Sequence, residues 1–255
     1  MAERDLEGLA ERLLGAVRAR ASIAPLSADH PDLSVDEAYL VQALVVEALG
    51  GPEAAKLGLT SKAKQRQMHV DAPLSAWLPA GSRLGEGEPL VLAELIQPRL
   101  EPEIAFVLGS ELVGSATVED VLAATERVLP AIDVLDSRFT GYGFTLPDVV
   151  ADNGSAARYA LGGPGAPVAG LDLRLIGCVF ERNGEVVATA SGAAVLGHPA
   201  AAVAWFAGQL AARGRTLAAG TTVLAGSLIA AVAVAPGDVV RATLDRIGTV
   251  EITCR

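Results

Sequence analysis

Glu101 and Glu103 sit two residues apart in Arg99-Leu100-Glu101-Pro102-Glu103-Ile104-Ala105-Phe106-Val107-Leu108. Strand alternation puts both on one face. Two adjacent carboxylates repel and raise each other's pKa unless a cation lies between them. Such oxygen donors suit Mg²⁺ or Mn²⁺ with positions left for water and substrate; otherwise they are acids on a solvated edge strand. Asp133 interrupts the apolar run Pro130-Ala131-Ile132-Asp133-Val134-Leu135. A buried acid there requires a metal or a cationic partner, so Glu101, Glu103 and Asp133 form a candidate three-carboxylate metal site. Seventeen of the twenty basic residues are arginine, and the three lysines, Lys56, Lys62 and Lys64, fall within nine positions. Lys62 and Lys64 read as solvent-facing helix residues. Lys56, in the apolar run Ala55–Ser61 beside Gly58, reads as a buried ammonium with a function.

Asp152-Asn153-Gly154-Ser155 reads as a hydrogen-bonding loop, with Arg158 beyond it able to pair a substrate carboxylate or to lie on the surface. His198 precedes a helix and reads as structural, and His30 and His69 as loop and surface residues. Cys178 and Cys254, far apart and without a ligand partner at metal-binding spacing, read as buried reduced thiols. No nucleophile elbow, phosphate loop or dinucleotide fingerprint is present.

The elements that must position these residues change character along the chain. Leu6, Leu9, Leu13, Leu14 and Val17, then Tyr39, Leu40, Ala43, Leu44 and Ala48, recur at helical spacing. Ser34 with Glu37 is a capping-box signature, and Gly50-Gly51 supplies a stop. A third helix is expected between Thr117 and Leu129, ended by Pro130. From Asp172 onward the pattern is strands and turns: Leu173–Phe180, Asn183-Gly184 as a type I′ hairpin turn, and Val186–Ala190. One further helix opens at Pro199, and Pro236-Gly237 and Gly248 separate the final strands. The expectation is an α+β chain, with a helical portion at residues 1–75 packed without a hinge on a strand-rich portion at 76–255.

The 255 residues are 51% hydrophobic, enough for a substantial core. A net charge of −10 and ten aromatic side chains argue against nucleic acid as a partner. Val223–Ala235, the most apolar stretch, is too short to span a bilayer, and the charged start has no signal-peptide pattern. A cytoplasmic protein is the expectation.

Five ordered motifs carry a resemblance over nearly the whole chain. They are Lys56-Leu-Gly-Leu-Thr-Ser-Lys-Ala-Lys64, Gln97-Pro-Arg-Leu-Glu-Pro-Glu-Ile-Ala-Phe-Val-Leu108, Pro130-Ala-Ile-Asp-Val-Leu-Asp-Ser-Arg138, Val150-Ala-Asp-Asn-Gly-Ser155 and Leu196-Gly-His-Pro199 followed by Trp205. Together they resemble the 2-keto-4-pentenoate hydratase and 4-oxalocrotonate decarboxylase family of the fumarylacetoacetate hydrolase-like superfamily. The resemblance implies a mixed β-roll, a Mg²⁺ or Mn²⁺ site on Glu101, Glu103 and Asp133, and an active-site lysine at Lys56. The third ligand is more often Glu in that family, so Asp133 is a departure with a shorter arm. The run Phe144–Tyr159, with Arg158 in it, looks closer to the decarboxylases than to the hydratases. The implied reaction is metal-dependent decarboxylation of 2-oxo-3-hexenedioate in the catabolism of aromatic ring-cleavage products, the ion acting as electron sink. In it Lys56 holds or protonates the dienolate, the Asp152–Ser155 loop positions the substrate and Arg158 recognises the departing carboxylate. Hydration of 2-hydroxypenta-2,4-dienoate is the alternative. A homo-oligomer and a complex with a hydratase of the same pathway, in which this chain acts chiefly as partner, are further implications.

Overall fold

Two helices come first, where the leucine spacing puts them: α1 spans Leu6–Ala19 and α2 spans Val35–Ala48. The cap of α2 is reciprocal. Ser34 Oγ accepts from the Glu37 N–H at 3.2 Å, and Glu37 Oε2 accepts from the Ser34 N–H at 2.9 Å. The computed structural model describes residues 4–67, 70 and 72–255; the side chains at 63, 64 and 67 and the whole of His69 lie outside that description.

The helical portion ends at Gly51, well before residue 75. Strand β1 (Pro52–Gly58), the short helix α3 (Lys62–Gln67) and strand β2 (Leu74–Pro79) follow it. The boundary expected at 75 therefore falls inside the sheet. Burial explains the difference: the four central residues of β1, Ala54–Leu57, are all buried, as a strand covered on both faces requires.

Next come β3 (Arg99–Leu108), α4 (Val118–Ala124), β4 (Thr125–Leu135), α5 (Leu146–Ala151) and β5 (Ala156–Leu161). The helix expected from Thr117 to Leu129 stops at Ala124, and β4 runs straight through Pro130. Val128 and Leu129, which looked like one helical stripe, bury against two different clusters on opposite faces of the strand. Long-range pairing of β4 with β3 on one side and β5 on the other overrides the local pattern. Pro130 lacks a donor, but its carbonyl accepts from Gly162 N at 2.9 Å.

The chain finishes with β6 (Gly177–Arg182), β7 (Glu185–Ser191), α6 (Pro199–Ala211), β8 (Thr222–Ser227), β9 (Val232–Ala233), β10 (Val239–Leu244) and β11 (Gly248–Thr253). The strand expected from Leu173 begins only at Gly177. Asn183 and Gly184 turn the β6–β7 hairpin with φ of 56° and 80°, as a type I′ turn requires.

The strands form two sheets. The larger runs β2-β1-β8-β3-β4-β5, with β9 added against β3, and the smaller runs β11-β10-β6-β7. Only β1 and β8 are parallel in the larger sheet. The segment that follows β2 bonds the β5 edge: Tyr159 N donates to Ser82 O at 3.1 Å, and Leu84 N donates to Tyr159 O at 2.8 Å. The fold is thus α+β, with the smaller sheet packed on β3, β4 and β5 through Leu100, Ile132, Val134, Phe180 and Val240. Helices α4 and α6 cover another part of the outer surface around Phe106 and Phe206. Helices α1, α2 and α5 close over Leu74 and Ala76 of β2. Among the described residues no helix is long and apolar enough to cross a membrane.

Candidate functional site

β3 lies between β8 and β4, so its acids are not on an edge. Glu101 pairs in register with Asp133 and Glu103 with Ala131, and period-two alternation turns all four to the same face. Glu101, Glu103 and Asp133 are buried, and they offer carboxylate oxygens that all lie within 4.8 Å of one another. Asp133 thus joins the set despite its shorter arm.

Lys56 reaches this cluster from β1. Its side chain is 3% exposed, and its Nζ lies 2.6 Å from Asp133 Oδ2 and donates to Gly154 O at 3.0 Å. One ammonium therefore faces three carboxylates. Glu103 is fully buried, with Oε2 accepting from the Gly226 N–H at 2.7 Å and Oε1 without a hydrogen-bond partner among the described residues. Burial, then the neighbouring Asp133 carboxylate, push Glu103 well above the ordinary carboxylate range, with Lys56 opposing. An excess of buried negative charge with an orphaned oxygen is what a hard divalent cation relieves, so the donor set fits Mg²⁺ or Mn²⁺.

Gly226 owes its place to two demands. Its φ is +109°, and a Cβ there would meet Thr60 Oγ1 at 2.0 Å. Only glycine lets the β8 backbone approach close enough to serve Glu103. The signal in the sequence was a glycine inside an apolar strand, which reads as a close-approach position.

The Asp152–Ser155 loop is held from below. Asp152 is buried and pairs with Arg138 at 2.5 Å, and its Oδ2 accepts from Ser137 Oγ at 3.2 Å and Ser155 Oγ at 3.0 Å. Arg138 Nη2 also donates to the Asp152 carbonyl. Burial raises the Asp152 pKa, while Arg138 pulls against that shift. Asn153 is clamped to Trp77 of β2 by bonds of 3.0 and 2.6 Å. Asn153, Gly154 and Ser155 all have positive φ, which turns the Gly154 carbonyl onto Lys56.

A cavity of about 550 Å³ opens above the cluster. It is lined by Lys56, Glu101, Arg99, Tyr142, Gly154, Ser155 and Ser227 among a largely apolar wall that includes Leu59, Leu74, Phe144, Leu228 and Ile229. Lys56, Glu101 and Ser155 therefore meet in one place. Asp152 supports Ser155 from outside the lining. Arg158 does not reach this cavity: it lines a separate one with Glu94, Ile96 and Asp136, and its Nη2 lies 4.0 Å from Glu94. The reason is alternation, since Tyr159 pairs with Asp133 and the adjacent Arg158 must face the other way. The guanidinium in the cavity is Arg99, which sequence reasoning passed over although it stands two residues before Glu101 on the same face.

The remaining candidates are structural. His198 Nδ1 accepts from Ala200 N at 3.0 Å and caps α6, and burial lowers its pKa. His30 sits beside Arg4 at 3.0 Å. Lys62 is exposed on α3 and donates to Gln65 Oε1 at 3.0 Å. Cys178 and Cys254 are free and buried.

The mixed sheet thus presents a buried donor set that fits a divalent cation. Residues 48–255 match the family model described as fumarylacetoacetate (FAA) hydrolase C-terminal, and the chain belongs to that family. It is 43% identical over 235 residues to a 4-oxalocrotonate decarboxylase from Pseudomonas sp. (strain CF600), covering 90% of this chain and 89% of that one. It is 38% identical over 255 residues to a 2-keto-4-pentenoate hydratase from Paraburkholderia xenovorans (strain LB400), covering 98% and 95%. It superposes with a TM-score of 0.92 and 37% identity on 4-oxalocrotonate decarboxylase from Pseudomonas putida G7 complexed with magnesium and adipate, covering 98% and 97%.

Proposed function

We propose that this chain decarboxylates 2-oxo-3-hexenedioate (4-oxalocrotonate) to 2-hydroxypenta-2,4-dienoate with a bound Mg²⁺ or Mn²⁺. The observation that carries this reading is the cluster of three buried carboxylates held against Lys56, with Lys56 and Glu101 opening onto one cavity. The 43% identity to a 4-oxalocrotonate decarboxylase supports the choice of reaction. Glu101, Glu103 and Asp133 would hold the ion, which supplies Lewis-acid stabilisation of negative charge on the 2-oxo group.

The chain's own residues do the rest. Breaking the C5–C6 bond releases CO₂, and its electron pair passes through C4 and C3 to the C2 oxygen. Protonation at that oxygen completes the dienol. An ammonium has three N–H donors. Lys56 commits two of them to Asp133 and Gly154, which leaves one to hold the developing enolate oxygen and deliver its proton. Ser155, fixed by Asp152 and Arg138, forms the polar wall beside Lys56. Leu59, Leu74, Phe144 and Ile229 keep bulk water from the dienolate.

The mixed larger sheet, with the bridge from residues 82–84 to Tyr159 at its β5 edge, supports the mixed β-roll reading. The same reading makes the protein a cytoplasmic homo-oligomer that associates with a hydratase of the same pathway. Hydrodynamic mass and co-purification with that hydratase test these assignments. For the reaction, the assay follows CO₂ and dienol from 2-oxo-3-hexenedioate, beside loss of 2-hydroxypenta-2,4-dienoate absorbance by water addition. Metal-dependent CO₂ release is expected. Water addition without CO₂ would assign the hydratase activity instead, and activity toward neither substrate would overturn the reading.

A further inference from the structure

Two cationic side chains line the main cavity among the described residues, Lys56 and Arg99. Lys56 is committed to Asp133 and Gly154. Among the described residues Arg99 makes no ion pair or side-chain hydrogen bond; its guanidinium carbon lies 4.0 Å from the centre of the Tyr142 ring. Stacking on a ring face holds the guanidinium plane while leaving its N–H edge free for two parallel bonds to a carboxylate.

This arrangement is built rather than incidental, because one residue fixes both partners. Gln97, two positions before Arg99, accepts the Tyr142 hydroxyl on its carbonyl at 3.1 Å. Its side chain donates to Ser137 O at 2.8 Å and Phe139 O at 2.6 Å, and accepts from Gly141 N at 3.1 Å. The loop carrying Tyr142 is therefore stapled to the strand carrying Arg99. Asp136 holds the same corner, accepting from Ile96 N at 2.9 Å and Gln97 N at 2.7 Å.

Arg99 and Glu101 alternate on one face of β3, about 7 Å apart along the strand. That spacing is of the order of the length of a six-carbon chain. A substrate whose 2-oxo-acid end lies at the acid cluster would place a second, terminal carboxylate at Arg99.

We propose that Arg99, seated on Tyr142, is the residue that selects dicarboxylic over monocarboxylic 2-oxo acids in this cavity. The inference rests on the reading of the cavity as a 2-oxo-acid site and extends it to the far end of the substrate. In decarboxylation the departing carboxylate loses its charge at the transition state, so an arginine that grips it favours binding rather than bond cleavage. Arg99 is thus a specificity residue whose loss raises KM without lowering kcat.

The test uses the full-length, magnesium-loaded protein and measures calorimetric binding of 2-oxohexanedioate and 2-oxohexanoate, without turnover. Arg99→Met is expected to weaken the diacid about 10- to 100-fold, the size of a lost charge-assisted bond, and to leave the monoacid unchanged. Arg99→Lys is expected to fall between wild type and Arg99→Met and keeps the test decisive if Arg99→Met does not fold. Arg158→Met serves as a control expected to bind both acids normally. Equal weakening of both acids in Arg99→Met, or selective loss of the diacid in Arg158→Met, would overturn the inference. A wild type that prefers the diacid through Arg99 yet releases no CO₂ would refute the decarboxylase reading alone. Decarboxylation with an unchanged diacid preference in Arg99→Met would refute this inference alone.

Discussion

At the scale of single residues the chemistry is governed by charge that burial leaves poorly compensated. Lys56 is the ammonium set against three buried acids, so Lys56→Met breaks a buried pair, a loss of about 3–5 kcal/mol. In a chain of this size that lowers Tm by roughly 6–20 °C in metal-free buffer. Added Mg²⁺ should restore part of it, and a metal-free Tm equal to wild type would contradict the assigned role. The two thiols offer an independent check on burial. Burial pushes both Cys178 and Cys254 up to about 11, so at pH 8 roughly one thiol in a thousand is ionised. Alkylation of the native protein should therefore be slow, rising with pH toward 11, and become fast on unfolding; rapid native labelling at pH 8 would contradict the packing. Much at this scale was legible in the sequence. Alternation alone paired Glu101 with Glu103, and an acid in an apolar run marked Asp133. Arg99 obeys the same alternation, but its seat on Tyr142 comes from a distant loop that no local pattern announces. Arg158, expected either to pair a substrate carboxylate or to lie on the surface, lines a separate cavity because alternation along β5 turns it away from Asp133.

At the scale of elements, helices with local caps and the alternating strand through Glu101 and Glu103 were legible, and the point where a helix gives way to a strand was not. The capping box of α2 and the Asn183-Gly184 turn encode themselves within a few residues. The switch from α4 into β4 depends on β3 and β5, which flank it in space. Strand β8 shows how an element can serve the site through backbone alone. Gly226 supplies the N–H that Glu103 accepts, at a φ and a contact distance that exclude a side chain. Gly226→Ala should destabilise the fold by about 1–3 kcal/mol through backbone strain and a displaced Thr60. It should also weaken Mg²⁺ binding, read as a smaller thermal shift at fixed metal concentration; a wild-type shift would show that the β8 approach is immaterial.

At the scale of the whole molecule, the helical portion is not a separate body. Leu9, Leu13 and Val41 from α1 and α2 share one core with Leu74, Ala76 and Val150. The buried Gln42 Nε2 donates to Ser75 O at 3.0 Å and Val150 O at 2.9 Å, tying α2 to β2 and α5. Heat should therefore unfold the chain in one transition, with helical circular dichroism and tryptophan fluorescence changing together. Separate transitions would show that the helices fold on their own.

The central claim joins these scales: three carboxylates and a lysine on a mixed sheet make a metal-dependent decarboxylase. Its most direct test is CO₂ release from 2-oxo-3-hexenedioate by metal-stripped wild type and Glu103→Gln, before and after Mg²⁺, with Tm recorded alongside. Wild type should be inactive when stripped. Mg²⁺ at about 100 times its Kd should restore CO₂ release and add about 2.7 kcal/mol of stability, roughly 5–10 °C in Tm. Glu103→Gln, relieved of buried like charge, should melt higher than wild type without metal and gain neither activity nor stability from it. CO₂ release by the stripped wild type, or a full metal response in Glu103→Gln, would contradict the claim.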